Sequence, residues 1–228
     1  MSALNLLPLG TIVKGKNPAS GWEMLRWMVT GYYPVAMEDG ECFDYAMTPW
    51  PLGYINIEGG EKKTFYSCNE EAIELVEFFG AVDSFSETVT NQFYEATLKK
   101  DEFTSPLAQG VEPMMHSYGN LPVTIGNLSF GKDEILPLGT VISTAKNGSQ
   151  KGMIYQHGGT YRGKHYDYGV CAWPEGADPG SDIVQLINHD EITAVHFRGY
   201  ENALSQEVTK RLEKKRRGSL FTRLFGGR

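Results

Sequence analysis

The sequence predicts a mainly β protein with some helix (α+β): two homologous small β-sheet or barrel-like domains, a helical connector and a C-terminal helix. Three observations predict it. LLPLGTIV at 6–13 returns as ILPLGTVI at 135–142. FDYAMTPWPLG at 43–53 returns as YDYGVCAWPEG at 166–176, with Asp, Tyr, Trp, Pro and Gly in register. NEEAIELVEFFG at 69–80 returns as NHDEITAVHFRG at 188–199. Three collinear blocks imply an internal repeat, and the shrinking offset between them places the length changes in surface loops. The repeats are expected at 5–83 and 134–201, a helix-containing connector at 84–133, and a helix with a basic amphipathic tail at 202–228.

Each block carries its own structural reason. In Leu-Pro-Leu-Gly-Thr, Pro8 or Pro137 suits a strand entry, where a missing N–H is tolerated, and Gly10 or Gly139 suits the turn beyond it. The β-branched Thr-Ile-Val or Thr-Val-Ile that follows fits a pleated, half-buried surface. GMIYQHGGTYRGKHYDYGVCAW at 152–173 is rich in aromatic and β-favouring residues and reads as a hairpin, with Gly158–Gly159 as turn glycines. Asn69 and Asn188 stand where a short helical turn is capped, and the acidic residues after them complement its N-terminal dipole. AVHFRGY at 194–200 alternates as a strand does. In the connector, Phe85, Val89, Phe93 and Ala96 have helical spacing. Near the end, Leu204, Val208 and Leu212 stack along a second helix that Gly218 is expected to stop. Leu220, Phe221, Leu224 and Phe225 would then share one face of another short helix.

Composition excludes several classes. The 228 residues hold 21 Lys and Arg against 28 Asp and Glu, and 41% are hydrophobic, too many for a disordered chain. No apolar run approaches the ~20 residues of a membrane span. Three cysteines make no disulfide framework, and with no signal-like N-terminus a cytoplasmic location is expected. Residues 1–209 carry a net charge of −14, which argues against nucleic acid as a partner, whereas 210–228 carry +7.

LPLGTIV, the aromatic-Asp-Tyr cluster leading into Trp-Pro-x-Gly, and the terminal Asn-x-x-x-Ile-x-x-Val-x-Phe-x-Gly-Tyr resemble an uncharacterised domain family, named only as a domain of unknown function. That family is encoded beside type VII (ESX-like) secretion genes and LXG-type toxins of Gram-positive bacteria. The second repeat is the better match; the first departs at Ala46–Pro49 and by Phe79 and Ala81 in place of the Arg-x-Tyr ending. The resemblance implies a cytosolic chaperone or targeting adaptor for a secreted effector. It implies no catalytic residues.

The residues themselves point the same way. No nucleophile elbow, phosphate-binding loop or His-Glu-x-x-His motif is present. His157, His165 and Cys171 offer at most three zinc ligands with no fourth, so no metal or other cofactor is expected. Asp44 and Asp167 hold equivalent positions; pairing for acid–base work is one reading, and fixing a turn through backbone N–H groups the favoured one. Trp50 and Trp173 are core residues or, alternatively, an exposed recognition platform. Arg216, Arg217, Leu220, Phe221, Leu224 and Phe225 make the tail a candidate contact for the effector, the secretion apparatus or an anionic membrane, unless it packs back on the acidic body. A non-enzymatic adaptor is the expectation. An immunity protein blocking an adjacent toxin, or an enzyme with an unrecognised site, are the alternatives.

Overall fold

The computed structural model describes residues 6–16, 26–35, 40–54, 65–98, 126–146, 150–177 and 185–225, with side chains described as far as 95 in the first helix and 214 in the last. The described residues form two five-stranded antiparallel sheets and two α-helices. The first sheet contains β1 (Ile12–Gly15), β2 (Arg26–Tyr32), β3 (Tyr45–Trp50), β4 (Tyr66–Cys68) and β5 (Ile73–Phe78), in the order β4-β3-β2-β1-β5. The second contains β6 (Val141–Thr144), β7 (Lys151–Tyr161), β8 (Lys164–Trp173), β9 (Gln185–Ile187) and β10 (Ile192–Phe197), in the order β10-β6-β7-β8-β9. Read from the strand that closes each sheet, the two orders are the same.

The agreement extends to register. Ile12, Val13, Lys14 and Gly15 face Phe78, Val76, Leu75 and Ile73. Val141, Ile142, Ser143 and Thr144 face Phe197, Val195, Ala194 and Ile192, with irregularities between the same pairs. Such irregularities bend a strand and sharpen its twist. A 3-10 turn precedes each closing strand, at Glu70–Ala72 and His189–Glu191, where the sequence predicts one, but the Asn69 side chain accepts the Asp44 N–H at 3.2 Å instead of capping its turn. Trp50–Pro51 and Trp173–Pro174 are both cis.

An α-helix follows each sheet: α1 (Ser84–Leu98) after the first and α2 (Ala203–Phe225) after the second. Both begin with one capping device. The Asp83 carboxylate accepts the Ser86 N–H at 2.8 Å while the Asp83 N–H donates to Ser86 Oγ at 2.8 Å. Asn202 and Ser205 repeat the exchange at 2.8 and 3.1 Å. Each pair satisfies N–H groups that a helix start leaves without partners. Five residues separate each helix from the strand before it, β5 from α1 and β10 from α2.

Three further expectations change. Gly158 and Gly159 lie inside β7, and the hairpin turns instead at Arg162–Gly163, whose φ values of 48° and 74° fit a type I′ turn. Gly218 does not stop α2, which continues to Phe225 as one helix. Phe85 and Leu204 are 56% and 47% exposed, so the first residue of each expected apolar row faces outward; Ser86 with Thr90, and Ser205 with half-buried Val208 and Leu212, face the body. Small polar residues at the contact let each helix lie close, with the Thr90 hydroxyl donating back to the Ser86 carbonyl at 2.9 Å.

The two sheets share one core. Leu6, Leu9, Ile12, Met28 and Trp50 from one side join Leu136, Leu138, Val141, Met153 and Trp173 from the other, each no more than 2% exposed. At its centre Gly10 and Gly139 meet back to back: a Cβ on either would stand 3.3 or 3.4 Å from the other's Cα. Backbone bonds cross between the sheets in matched fashion, Tyr54 N–H to the Tyr155 carbonyl at 3.2 Å and Ala177 N–H to the Thr30 carbonyl at 2.7 Å.

Candidate functional site

The residues singled out in the sequence fall into two matched corners, one per sheet. In the first, Asp44 is fully buried and accepts the Glu70 N–H at 2.9 Å. The Tyr45 hydroxyl accepts the Leu7 N–H at 3.2 Å and donates to Glu70 Oε2 at 3.2 Å. In the second, Asp167 accepts the His189 N–H at 2.9 Å, and the Tyr168 hydroxyl accepts the Leu136 N–H at 3.0 Å. His189 Nε2–H donates to the Gly131 carbonyl at 2.9 Å, leaving Nδ1 to accept from Tyr168 at 3.0 Å. Each Asp thus holds the start of a 3-10 turn, and each Tyr ties the Leu-Pro-Leu-Gly block to that turn. Such bonds are charge-assisted and geometrically specific. This is the turn-fixing reading of Asp44 and Asp167, with each aspartate bound to its own sheet's turn.

Trp50 and Trp173 are 1% and 2% exposed, which removes them as an exposed recognition platform. Their rings are needed inside, where the sheets meet. Trp50 packs on Tyr200 at 5.1 Å between ring centroids, and Tyr200 packs on Phe78 at 5.1 Å, so one tyrosine links both sheets. Ala81 occupies the corresponding place beside Trp173. A narrow, partly open crevice lies there, with room for about one water molecule, lined by Leu6, Leu9, Tyr32, Ala81, Trp173 and Pro174. Lys151 stands over the Trp173 ring at 5.0 Å and pairs with Asp83 at 3.1 Å.

His157, His165 and Cys171 are not brought together. His157 lies opposite Tyr168, His165 opposite Thr160 and Cys171 opposite Met153 along the β7–β8 hairpin. Among the described residues no group of three or more His, Cys, Asp or Glu is placed to hold a metal ion. His157 bonds the Leu136 carbonyl through Nε2 at 2.9 Å, and burial holds its pKa below the ordinary 6.5. Burial pushes the Cys171 thiol up to about 12. Burial, with Asp44 and Glu70 adding to it, does the same to Cys68. Both thiols therefore stay protonated near neutrality and are poor nucleophiles.

Arg216, Arg217, Leu220, Phe221, Leu224 and Phe225 lie on the last turns of α2, and their side chains fall outside the described residues. The Gly-Gly pairs at 59–60 and 226–227 fall outside them as well. No helix among the described residues is long and apolar enough to cross a membrane.

Sequence reasoning missed two features. One is the likeness between the two helices. It was legible as Ser86-x-x-Val89-Thr90-x-x-Phe93 beside Ser205-x-x-Val208-Thr209-x-x-Leu212, a sequence likeness that runs past 83 and into α1. The other is the extended segment Gly126–Phe130 that pairs with β10, the Leu128 N–H donating to the Val195 carbonyl at 2.8 Å. Its four residues between Gly126 and Gly131 give no strand pattern long enough to read.

Neither the curated proteins nor the solved structures contain a match to this chain. A family match covers the second sheet with its closing strand and the first turns of α2: residues 135–208 match the model of a domain of unknown function, DUF4176.

Proposed function

We propose that the chain is a non-enzymatic cytoplasmic adaptor that binds a type VII-secreted, LXG-type effector and assists its export, and that its two halves arose by duplication of one sheet-plus-helix unit. The observation that carries the binding role is the pair of large apolar side chains held in water at matched positions, Phe85 at the start of α1 and Leu204 at the start of α2. Apolar side chains fixed on rigid elements at the surface are a feature of interaction sites. Two such positions in one molecule give linked contacts to a single client. The matched strand order, register, capping exchange and Asp–Tyr corners support the duplication. The basic end of α2 gives the adaptor a second handle, for the client or for the export apparatus.

Co-expression with the effector encoded beside it, followed by size exclusion, tests this reading. A stoichiometric complex with the effector's N-terminal export region, lost in a Phe85→Glu, Leu204→Glu double variant that still folds, is the expected result. A complex with the C-terminal toxic domain would replace it with an immunity role. No complex would remove the adaptor reading.

A further inference from the structure

The two sheets differ at one edge. In the second sheet, β10 is covered: the Gly126 N–H donates to the His196 carbonyl at 3.0 Å and the Leu128 N–H to the Val195 carbonyl at 2.8 Å. Gly126–Phe130 lies along that edge with Leu128 and Phe130, two residues apart, packed against the core. Val195 beneath it is 0% exposed. In the first sheet the matching strand is β5, also the last in its sheet, and no described segment pairs with its outer side. Because β5 and β10 share the register against their neighbours, the Val76 and Glu77 carbonyls occupy the positions of the two acceptors on β10. Val76 stays half-buried where Val195 is sealed, and Leu75 beside it is 52% exposed.

We propose that the outer edge of β5 is a docking edge for an extended peptide from another polypeptide, one with a bulky apolar residue opposite Val76 and backbone N–H groups free to reach the carbonyls of Val76 and Glu77. The same molecule shows what such an edge accepts, since Gly126–Phe130 on β10 supplies those two donors and that apolar residue. An open strand edge is a template for a further strand, and peptides that add to it gain affinity from main-chain bonds and selectivity from alternate side chains. The exposed Leu75 lies on the opposite face from Val76, beside Lys14, and adds apolar surface for the peptide's neighbouring residues to cover. This inference rests on the edge geometry and stands apart from the identity of any effector.

The test is fluorescence anisotropy with a labelled peptide, Ile-Gly-Asn-Leu-Ser-Phe-Gly, which copies residues 125–131, titrated with the full chain. Saturable binding is expected, weakened at least ~10-fold by Leu75→Asp, an exposed position, and unchanged by Thr193→Asp on the covered strand β10. A peptide N-methylated at the leucine should not bind, because it lacks the donor; this control does not depend on any variant's folding. No binding up to ~1 mM, or binding indifferent to both Leu75→Asp and N-methylation, overturns the proposal. A chain that elutes as a dimer and releases β5 for the peptide only when dissociated also overturns it, since the edge would then belong to a second copy.

Discussion

Replacing Gly199 by Ala should be among the most damaging single-methyl changes in the chain. Just past β10 the backbone runs so close to Leu138 that a Cβ on Gly199 would lie 1.8 Å from the Leu138 carbonyl oxygen and 2.7 Å from its carbon. An ordinary carbon–oxygen contact is about 3.3–3.6 Å, so the backbones must separate by about 1.5 Å or more. That movement breaks the buried bond from the Gly199 N–H to Thr140 Oγ1, 3.1 Å long, and leaves its donor unpaired. An orphaned buried N–H costs about 1–3 kcal/mol and a displaced, overpacked backbone a further 1–3, so a loss of about 4 kcal/mol is expected. In a chain of about 200 residues that lowers Tm by roughly 8–16 °C. Gly163→Ala is the comparison. There φ is 74° but nothing lies within 4 Å of the added methyl. Only the backbone preference is lost, about 1–2 kcal/mol, or roughly 2–8 °C. Thermal unfolding followed by near-UV circular dichroism distinguishes them. If Gly199→Ala melts no lower than Gly163→Ala, the close crossing and the argument from it are wrong.

Tyr200→Ala removes the ring that links Trp50 to Phe78 and should cost about 2–4 kcal/mol in urea unfolding, in a single transition because both sheets lose the same contact. Asp167→Asn keeps the shape but not the charge at the His189 N–H, and about 1–2 kcal/mol of stability should go with faster amide exchange at His189. Acid should weaken the fold before the carboxylates titrate. Burial holds His157 below its ordinary 6.5, and burial with Lys151 does the same to His196 against the opposing pull of Asp83. The unfolded chain therefore takes up protons first, so stability is full above pH 6.5 and falls as pH drops through it towards the folded-state values. Urea midpoints at pH 7.5 and 5.5 should differ less in His157→Gln, which keeps a donor for the Leu136 carbonyl.

How much of this was legible in the sequence depended on whether a residue's role was local. Asn69 and Asn188 announce their turns because the turn is built from neighbours. The LPLG blocks announce strand entries through the backbone limits of Pro and Gly. The hairpin turn was misplaced because two signals competed over six residues: Gly158–Gly159 is the stronger dipeptide, but β7 and β8 pair out to Tyr161 and Lys164, and cross-strand pairing decided for Arg162–Gly163. The apolar rows on α1 and α2 have good helical spacing, yet Ser86, Thr90 and Ser205 took the inward face. A close helix contact needs small residues more than large ones, and periodicity cannot report that distance. The sequence favours burial of Trp50 and Trp173 over exposure without settling it, because their burial depends on the second sheet arriving from far along the chain.

The joined core has a consequence for how the two halves are free to differ. Two identical chains meeting through Gly10 and Gly139 contacts would be bound to symmetry: every contact off the axis would occur twice with the same residues, and folding would depend on concentration. Carried on one polypeptide, the halves associate at a fixed effective concentration, and each position can take its own residue. That freedom is visible in Tyr200 against Ala81, His189 against Glu70, a β10 covered by Gly126–Phe130 against a β5 with no such partner among the described residues, and a basic α2 against an α1 whose charges are Glu87 and Glu95. A symmetric dimer must offer any partner two equal surfaces. This molecule presents two different ones on a common frame.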